Sequence, residues 1–193
     1  MAGRLQPGDT LLVHAAAGGV GSAALQLGKL MGARVIATAG SARKVQACLD
    51  AGADAVLDYG DPGWVEAFRQ MAPGGADVIY DPVGGEVGAQ SLRCLAYGAR
   101  YLVIGFAGGT LTQLPANRLL LHNASAVGVL WGEVRKRDTA LAAQLTREVC
   151  DRHAQGRIRL MPGASFAFAE AREALAALEG RSTVGKAWLR VSQ

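Results

Sequence analysis

Cysteine, histidine and long apolar runs are scarce in the 193-residue sequence, and each scarcity argues against a class of protein. The three cysteines, Cys48, Cys94 and Cys150, lie far apart without a CxxC pair, and no two histidines are spaced i, i+4. Such spacing favours neither a disulfide framework nor a metal site. No apolar run approaches membrane-spanning length, and the N-terminus lacks the apolar region of a signal peptide. We therefore expect a cytoplasmic protein with reduced thiols, no membrane segment and no metal.

Positive charge is in slight excess, with 20 Lys and Arg against 16 Asp and Glu. Such an excess can indicate a nucleic-acid partner. Here the cations are dispersed, and the densest cluster, residues 135–137, is equally typical of a solvated loop entering a helix. We therefore expect no nucleic-acid partner and interpret the positive surface as suited to a phosphate-bearing cofactor.

Short apolar strands alternate with helical patterns along most of the chain. The strands are continuously apolar, which is typical of a parallel sheet with helices on both faces. With right-handed crossovers, this predicts a doubly wound α/β fold of the Rossmann type. The six predicted strands span residues 10–14, 34–38, 55–58, 77–80, 100–104 and 125–130, and the predicted helices span 20–31, 41–51, 64–71, 86–95 and 138–154.

Two single residues stand out in this pattern. Gly28 lies inside the first predicted helix, where glycine costs on the order of 1 kcal/mol relative to alanine. His14 closes the first strand, and we interpret it as a hydrogen-bonded core residue rather than an acid or a base.

The C-terminal segment, residues 157–193, does not continue the alternation of strands and helices of the Rossmann domain, which we assign to residues 1–156. It is predicted to contain a strand at 158–160, a helix at 169–178 and a strand at 186–191. One helix and two strands cannot bury their own apolar faces. The segment must therefore return to the sheet or pack on a domain outside this chain.

The phosphate loop, residues 14–21, joins the first strand to the first helix. It contains Ala16-x-Gly18-x-x-Gly21, a dinucleotide fingerprint with alanine in the first glycine position. Gly18 would let the backbone approach a pyrophosphate, and Gly21 would let the helix pack tightly on the strand. The N–H groups of Gly19, Val20 and Gly21 would then face the anion at a helix N-terminus. A glycine turn without a ligand is the alternative interpretation.

The second strand lacks the carboxylate that would accept the ribose hydroxyls of NAD, since no Asp or Glu lies between Gly21 and Cys48. Ser41, Arg43 and Lys44 follow that strand instead. A hydroxyl and two cations suit a 2′-phosphate, which favours NADP. Arg43 fits the solvated face of a helix equally well.

Several ordered motifs resemble the medium-chain dehydrogenase/reductases, and within them the zinc-independent quinone oxidoreductase (zeta-crystallin-like) branch. They are HAAAGGVG, TAGSARK, the Asp58–Tyr59 pair, YDPVGG, IGFAGG, VGVLWG and the closing STVGKAWL, and they extend over essentially the whole chain. The resemblance implies a GroES-like catalytic domain before this chain, on which the residues after about Arg157 pack. That domain would carry most of the substrate pocket.

The resemblance also implies which residues hold NADPH, and it assigns no catalytic or metal-binding residue to this chain. The pyrophosphate would lie on Ala17, Gly18, Gly19 and Val20, and the 2′-phosphate and ribose on Gly40, Ser41, Lys44 and Tyr59. The nicotinamide side would be lined by Val83, Gly105, Phe106 and Ala107, with Trp131 at the end of the sixth strand.

The function that this resemblance implies is NADPH-dependent reduction of a quinone or a related conjugated carbonyl. An enoyl-thioester reductase domain of a synthase, a non-catalytic nucleotide-binding module and a zinc alcohol dehydrogenase remain alternatives. The resemblance further implies a homodimer formed through the edge of the sixth strand, residues 124–131, where unpaired backbone groups favour pairing.

Overall fold

Within residues 2–161 and 163–191, which a computed structural model describes, six strands form one parallel sheet. They are β1 (Thr10–Val13), β2 (Arg34–Ala39), β3 (Ala55–Asp58), β4 (Ala76–Asp81), β5 (Leu95–Val103) and β6 (Ser125–Gly128). Their order across the sheet is β3-β2-β1-β4-β5-β6. This order confirms the predicted doubly wound fold and puts its switch point between β1 and β4.

The helices are α1 (Gly19–Leu30), α2 (Ala42–Asp50), α3 (Trp64–Met71), α4 (Gly85–Ser91), α5 (Ala116–His122), α6 (Trp131–Arg137), α7 (Thr139–Ala154) and α8 (Ala171–Glu179). The bounds of β3 and α3 are those predicted, α1 and α2 differ from prediction by one residue at each end, and α7 begins one residue later than predicted. The sequence did not predict α5 and α6, which have only seven residues each. None of the described helices is both long and apolar enough to cross a membrane.

The start of β5 corrects a prediction. Leu95, expected at the end of a helix, begins this strand, because α4 stops at Ser91 and a single 3₁₀ turn follows. Leu95 pairs with Ala76 of β4 before the register shifts. Gly98 has a φ of +74° in the irregular part of the strand. A short apolar run does not distinguish a buried strand from a helix end, which explains the error.

Helices cover both faces of the sheet. Successive strand residues point to opposite sides, so uniformly apolar strands predict a core on each face. The first core lies between the sheet and α3, and it contains Leu12, Ile36, Ile79, Tyr101, Trp64 and Phe68. The second core lies between the sheet and α1 and α2, and it contains Leu11, Val35, Val78, Leu25 and Cys48.

Gly28 lets α1 approach the sheet. A Cβ at this position would lie 2.6 Å from Leu11 Cδ2 and 3.1 Å from Val35 Cγ2, which are both core atoms. Besides its cost in helix propensity, this glycine therefore has a packing role. Its missing side chain provides the room that the sheet occupies.

The C-terminal segment folds into a second, small sheet. Its strands β7 (Ser165–Ala167) and β8 (Trp188–Arg190) pair in parallel, and α8 lies between them in sequence. The predicted strand at residues 158–160 is not a strand. Arg159 there exchanges two hydrogen bonds of 2.8 and 2.9 Å with the side chain of Gln26 in α1, so this stretch returns to the Rossmann domain.

This segment exposes large apolar side chains. Leu175 of α8 and Trp188 of β8 are 62% and 48% exposed. Packing of this segment on a second domain, and a domain boundary at residue 156, stay predictions. The last two residues of the predicted segment lie outside the described residues.

Candidate functional site

The phosphate loop leaves β1 between two neighbouring strands. The His14 N–H donates to Tyr80 O (3.0 Å) and the Ala16 N–H to Thr38 O (3.0 Å), which extends the pairing of β1 with β4 and β2. The loop therefore emerges at the carboxyl edge of the sheet, beside the switch point. In open α/β sheets this crevice is where ligands bind.

The amino end of α1 is arranged to receive an anion. Its first intrahelical bond runs from the Ser22 N–H to Gly18 O (2.9 Å), so the N–H groups of residues 19–21 have no acceptor inside the helix. A Cβ on Gly21 would clash with the carbonyl oxygen of Ala15 and lie 2.8 Å from the Cα of Ala16. Both obstacles are backbone atoms. Only glycine therefore allows this close contact between helix and loop.

The C-terminal segment crosses the phosphate loop, which the sequence did not predict. The Gly185 N–H donates to Ala17 O (2.7 Å), and Gly18 and Gly185 form a parallel bridge. The Lys186 side chain lies against Gly19, where an added Cβ would be 3.2 Å from Lys186 Nζ. An ammonium group thus stands beside the amino end of α1.

A cluster of cations lies beyond the end of β2. Lys44 Nζ donates to Arg181 O and Arg43 Nη2 donates to Ser182 O, each at 2.6 Å. Burial lowers the pKa of Lys44, and the positive charges of Arg43 and Arg181 lower it further. Arg181 joins the cluster from 137 residues along the chain, and no local sequence signal could have identified it.

Tyr59 and Gly40 face each other beside this cluster. A Cβ on Gly40 would lie 3.1 Å from both Cε2 and the hydroxyl oxygen of Tyr59. Burial raises the pKa of Tyr59, and the charge of Arg181 opposes that shift. Ser41 is the N-cap residue of α2 but makes no side-chain capping bond. Gly40, Ser41 and Arg43 line an open cavity of about 1060 Å³ together with residues 180–184.

The loops that follow β4 and β5 meet on the other side of the switch point. The Ala107 N–H donates to Pro82 O (3.0 Å), and the Gly108 N–H donates to Val83 O (2.8 Å). The Phe106 ring lies against Gly84, whose added Cβ would be 2.8 Å from Phe106 Cδ1. The structure therefore brings together the predicted nicotinamide-side residues of these two loops.

Trp131 does not follow β6 directly, which corrects the predicted position. β6 ends at Gly128, and Trp131 begins α6, a short helix with Glu133 ion-paired to Lys136 and Arg137. Trp131 lines a cleft of about 580 Å³ with residues of α7, and none of the other predicted cofactor residues lines that cleft.

His14 is fully buried, and only one of its two ring nitrogens has a hydrogen-bond partner among the described residues. Its Nδ1 shares a hydrogen bond with the Thr38 hydroxyl (2.9 Å), whereas Nε2 has no partner among the described residues. The Trp64 ring system and the imidazole form a T-shaped pair, with the ring centroids 5.7 Å apart. Burial lowers the pKa of His14 to about 4, although the charge of Asp81 opposes this. The imidazole is therefore neutral at pH 7.

The part of the chain that the structure describes contains no group of three or more His, Cys, Asp or Glu side chains placed to hold a metal ion.

Comparison with known proteins agrees with this geometry. The family model described as Zinc-binding dehydrogenase matches residues 19–147. Quinone oxidoreductase-like protein 2 of Bos taurus is 38% identical over 186 residues, which cover 95% of this chain and 53% of that protein. The chain thus spans about half the length of the curated relatives that it matches.

Two further similarities concern a solved structure and a larger protein. The quinone oxidoreductase of Thermus thermophilus, solved alone and in complex with NADPH, has a TM-score of 0.85 and 33% identity over 98% of this chain and 60% of that chain. A phenolphthiocerol/phthiocerol polyketide synthase protein of Mycobacterium tuberculosis is 28% identical over 99% of this chain and 9% of that protein.

Proposed function

The chain belongs to the zinc-binding dehydrogenase family of medium-chain dehydrogenase/reductases, and on this basis we propose that it binds NADPH for the reduction of a quinone or related conjugated carbonyl. The observation that carries the proposal is the cluster of Arg43, Lys44 and Arg181 beyond β2, together with the amino end of α1, whose first N–H groups have no acceptor inside the helix. The cluster suits a 2′-phosphate, and the amino end of α1 suits a pyrophosphate.

The charges of the cluster explain why an anion would bind there. Burial lowers the pKa of Lys44, and the charges of Arg43 and Arg181 lower it further, because each cation raises the energy of its neighbours. A 2′-phosphate would relieve this repulsion, whereas the ribose hydroxyls of NADH would not. The NADPH complex of the Thermus thermophilus relative supports this assignment.

NADPH supplies a hydride from its nicotinamide ring when it is bound. This chain would hold the pyrophosphate with residues 17–20 and the 2′-phosphate and ribose with Gly40, Ser41, Lys44 and Tyr59. Val83 and residues 105–107 would orient the ring and exclude water from one side of it. A contact of Trp131 with the cofactor stays a prediction from the family resemblance. Most of the substrate wall would come from outside this chain.

Calorimetry of the 193-residue chain with NADPH and NADH tests the cofactor assignment. We expect NADPH to bind at least about tenfold more tightly, since a charge-assisted contact to phosphate is absent with NADH. Lys44→Ala should shrink that preference to about threefold. Lys136→Ala, which removes the same charge from α6, should leave it unchanged. Equal affinities of the unmodified chain for the two compounds would contradict the 2′-phosphate assignment.

A second candidate function is reduction of an enoyl thioester, which the similarity to part of a polyketide synthase favours. Turnover by the full-length protein separates the two functions. Phenanthrenequinone should be reduced and a crotonyl thioester should not, and the opposite result would select the second function. Metal analysis of the same protein tests the zinc independence that we propose with the first function.

The proposed assembly is a homodimer through β6. This strand lies at the edge of the sheet, as predicted, and Ser125, Ala126 and Gly128 are exposed. Unpaired backbone groups on such an edge favour pairing with a second copy. A monodisperse monomer in light scattering would contradict this assembly. We also propose a cytoplasmic location, in keeping with three free cysteines.

A further inference from the structure

A buried carboxylate joins the two loops on the nicotinamide side. Asp81, the last residue of β4, is 1% exposed. Its Oδ1 accepts hydrogen bonds from the Val83 N–H (2.8 Å) and the Gly84 N–H (2.9 Å), and its Oδ2 accepts one from the Tyr101 hydroxyl. Three donors around one carboxyl group suit a carboxylate, which can only accept. This group thus fixes the backbone of the loop after β4.

The Asp81–Tyr101 pair also contacts the loop after β5. The Tyr101 hydroxyl lies 3.4 Å from Thr112 Oγ1, and Thr112 is part of the connection between β5 and α5. Gly88 of α4 packs on these groups so closely that an added Cβ would clash with Thr112 Oγ1 and lie 2.6 Å from both Asp81 Oδ2 and the Tyr101 hydroxyl. Little room remains for these groups to rearrange.

We propose that Asp81 and Tyr101 are positioning residues for the nicotinamide ring. They act through Val83 and Phe106, because they hold the loops that carry these two residues. The inference rests on the proposed function. It goes further in assigning the orientation of one end of the cofactor to a pair of buried residues outside the predicted site.

The test compares NADPH with 2′-phospho-ADP-ribose, which has the same adenosine, pyrophosphate and 2′-phosphate but no nicotinamide. In calorimetry, Tyr101→Phe should weaken NADPH binding by about fivefold or more, because Asp81 loses its hydroxyl donor and the loops loosen. Binding of 2′-phospho-ADP-ribose should change by less than about twofold. Tyr97→Phe removes a hydroxyl from an exposed tyrosine of the same strand and should change neither affinity.

The possible results separate this inference from the proposed function. Unchanged NADPH binding, or equal weakening of both compounds, would overturn the positioning role. If the unmodified chain bound neither compound, the proposed function would fail first and this inference would fail with it.

Hydrogen exchange provides a readout that needs no cofactor. In Tyr101→Phe the Val83 and Gly84 amides should exchange at least about tenfold faster, because the carboxylate that accepts from them is no longer held. The Gly60 and Gly63 amides, which donate to Asp58 and Asp61 on the surface, are the matched controls and should not change. Asp81→Asn keeps an oxygen for both amides and should have a smaller effect. Equal exchange in Tyr101→Phe and the unmodified chain would refute the inference.

Discussion

The two ends of the proposed ligand crevice differ in the burial of their polar groups and in the sequence separation of the residues that form them. At the end beyond β2, the side chains of Arg43 and Lys44 donate to backbone oxygens of a segment more than 130 residues away. At the end beyond β4, hydrogen bonds link the buried carboxylate of Asp81, the Tyr101 hydroxyl and Thr112, which lie within about 30 positions of one another. Exposed contacts of the first kind contribute little individually, whereas breaking a buried hydrogen-bonded charge costs several kcal/mol.

This difference indicates different tasks. The cations can exchange a carbonyl partner for a phosphate, so the first end is suited to selecting a charged ligand. The second end has its polar groups already satisfied by each other, so it is suited to holding a fixed shape against a ring. Variants that act on one end and not the other can test this contrast.

The largest effect is expected where both ends depend on the same element, the phosphate loop. Gly21→Ala adds a Cβ that clashes with backbone atoms of residues 15 and 16. We expect binding of NADPH and of 2′-phospho-ADP-ribose to fall by about 100-fold or more, since the proposed pyrophosphate position is between the two ends. Gly132→Ala, a glycine with no atom within 4 Å of the added Cβ, is the control. Loss of only one of the two ligands would show that the loop does not serve both ends.

His14 lies beneath the switch point, bonded to Thr38 of β2 and within the field of Asp81 of β4. Because burial holds its pKa at about 4, below the ordinary 6.5, the unfolded chain binds the proton more readily between these values. Its contribution to stability is complete above pH 6.5 and is lost as the pH falls toward 4. From pH 7 to pH 5 we expect the free energy of unfolding to decrease by about 2 kcal/mol through this residue.

Urea denaturation at the two pH values measures that decrease. His14→Gln should remove most of the difference between pH 7 and pH 5, whatever its effect at a single pH. His153→Gln, a substitution at an exposed histidine, should leave the difference in place. A pH dependence that survives in His14→Gln would assign it to other groups.

The smallest effect concerns the packing of α1 beneath the phosphate loop. Gly28→Ala gains about 1 kcal/mol in helix propensity but forces a methyl group against Leu11 and Val35. We expect a net loss of about 1 kcal/mol in the free energy of unfolding. Gly132→Ala in α6, which meets no atom, should be neutral or stabilising. A stabilising Gly28→Ala would show that α1 can move away from the sheet without cost.

Local patterns predicted the sheet and its connections wherever a strand or helix was long enough to show its period. They placed β3 and α3 correctly and identified the phosphate loop from the spacing of Gly18 and Gly21. They failed at Leu95, where an apolar run suits a helix end and a buried strand equally well. They also assigned a strand to residues 158–160, where the chain bonds to a side chain of α1 instead of to another strand.

The sequence by itself determined the six strands of the main sheet, the glycine loop and the missing carboxylate after β2, because each is a property of neighbouring residues. Only the tertiary structure decided that Arg181 and Lys186 join the crevice, that Gly28 serves packing, and that Asp81 meets Tyr101. These contacts link residues that are distant along the chain. The packing of complete elements sets them, and no local propensity encodes the distance between two such residues.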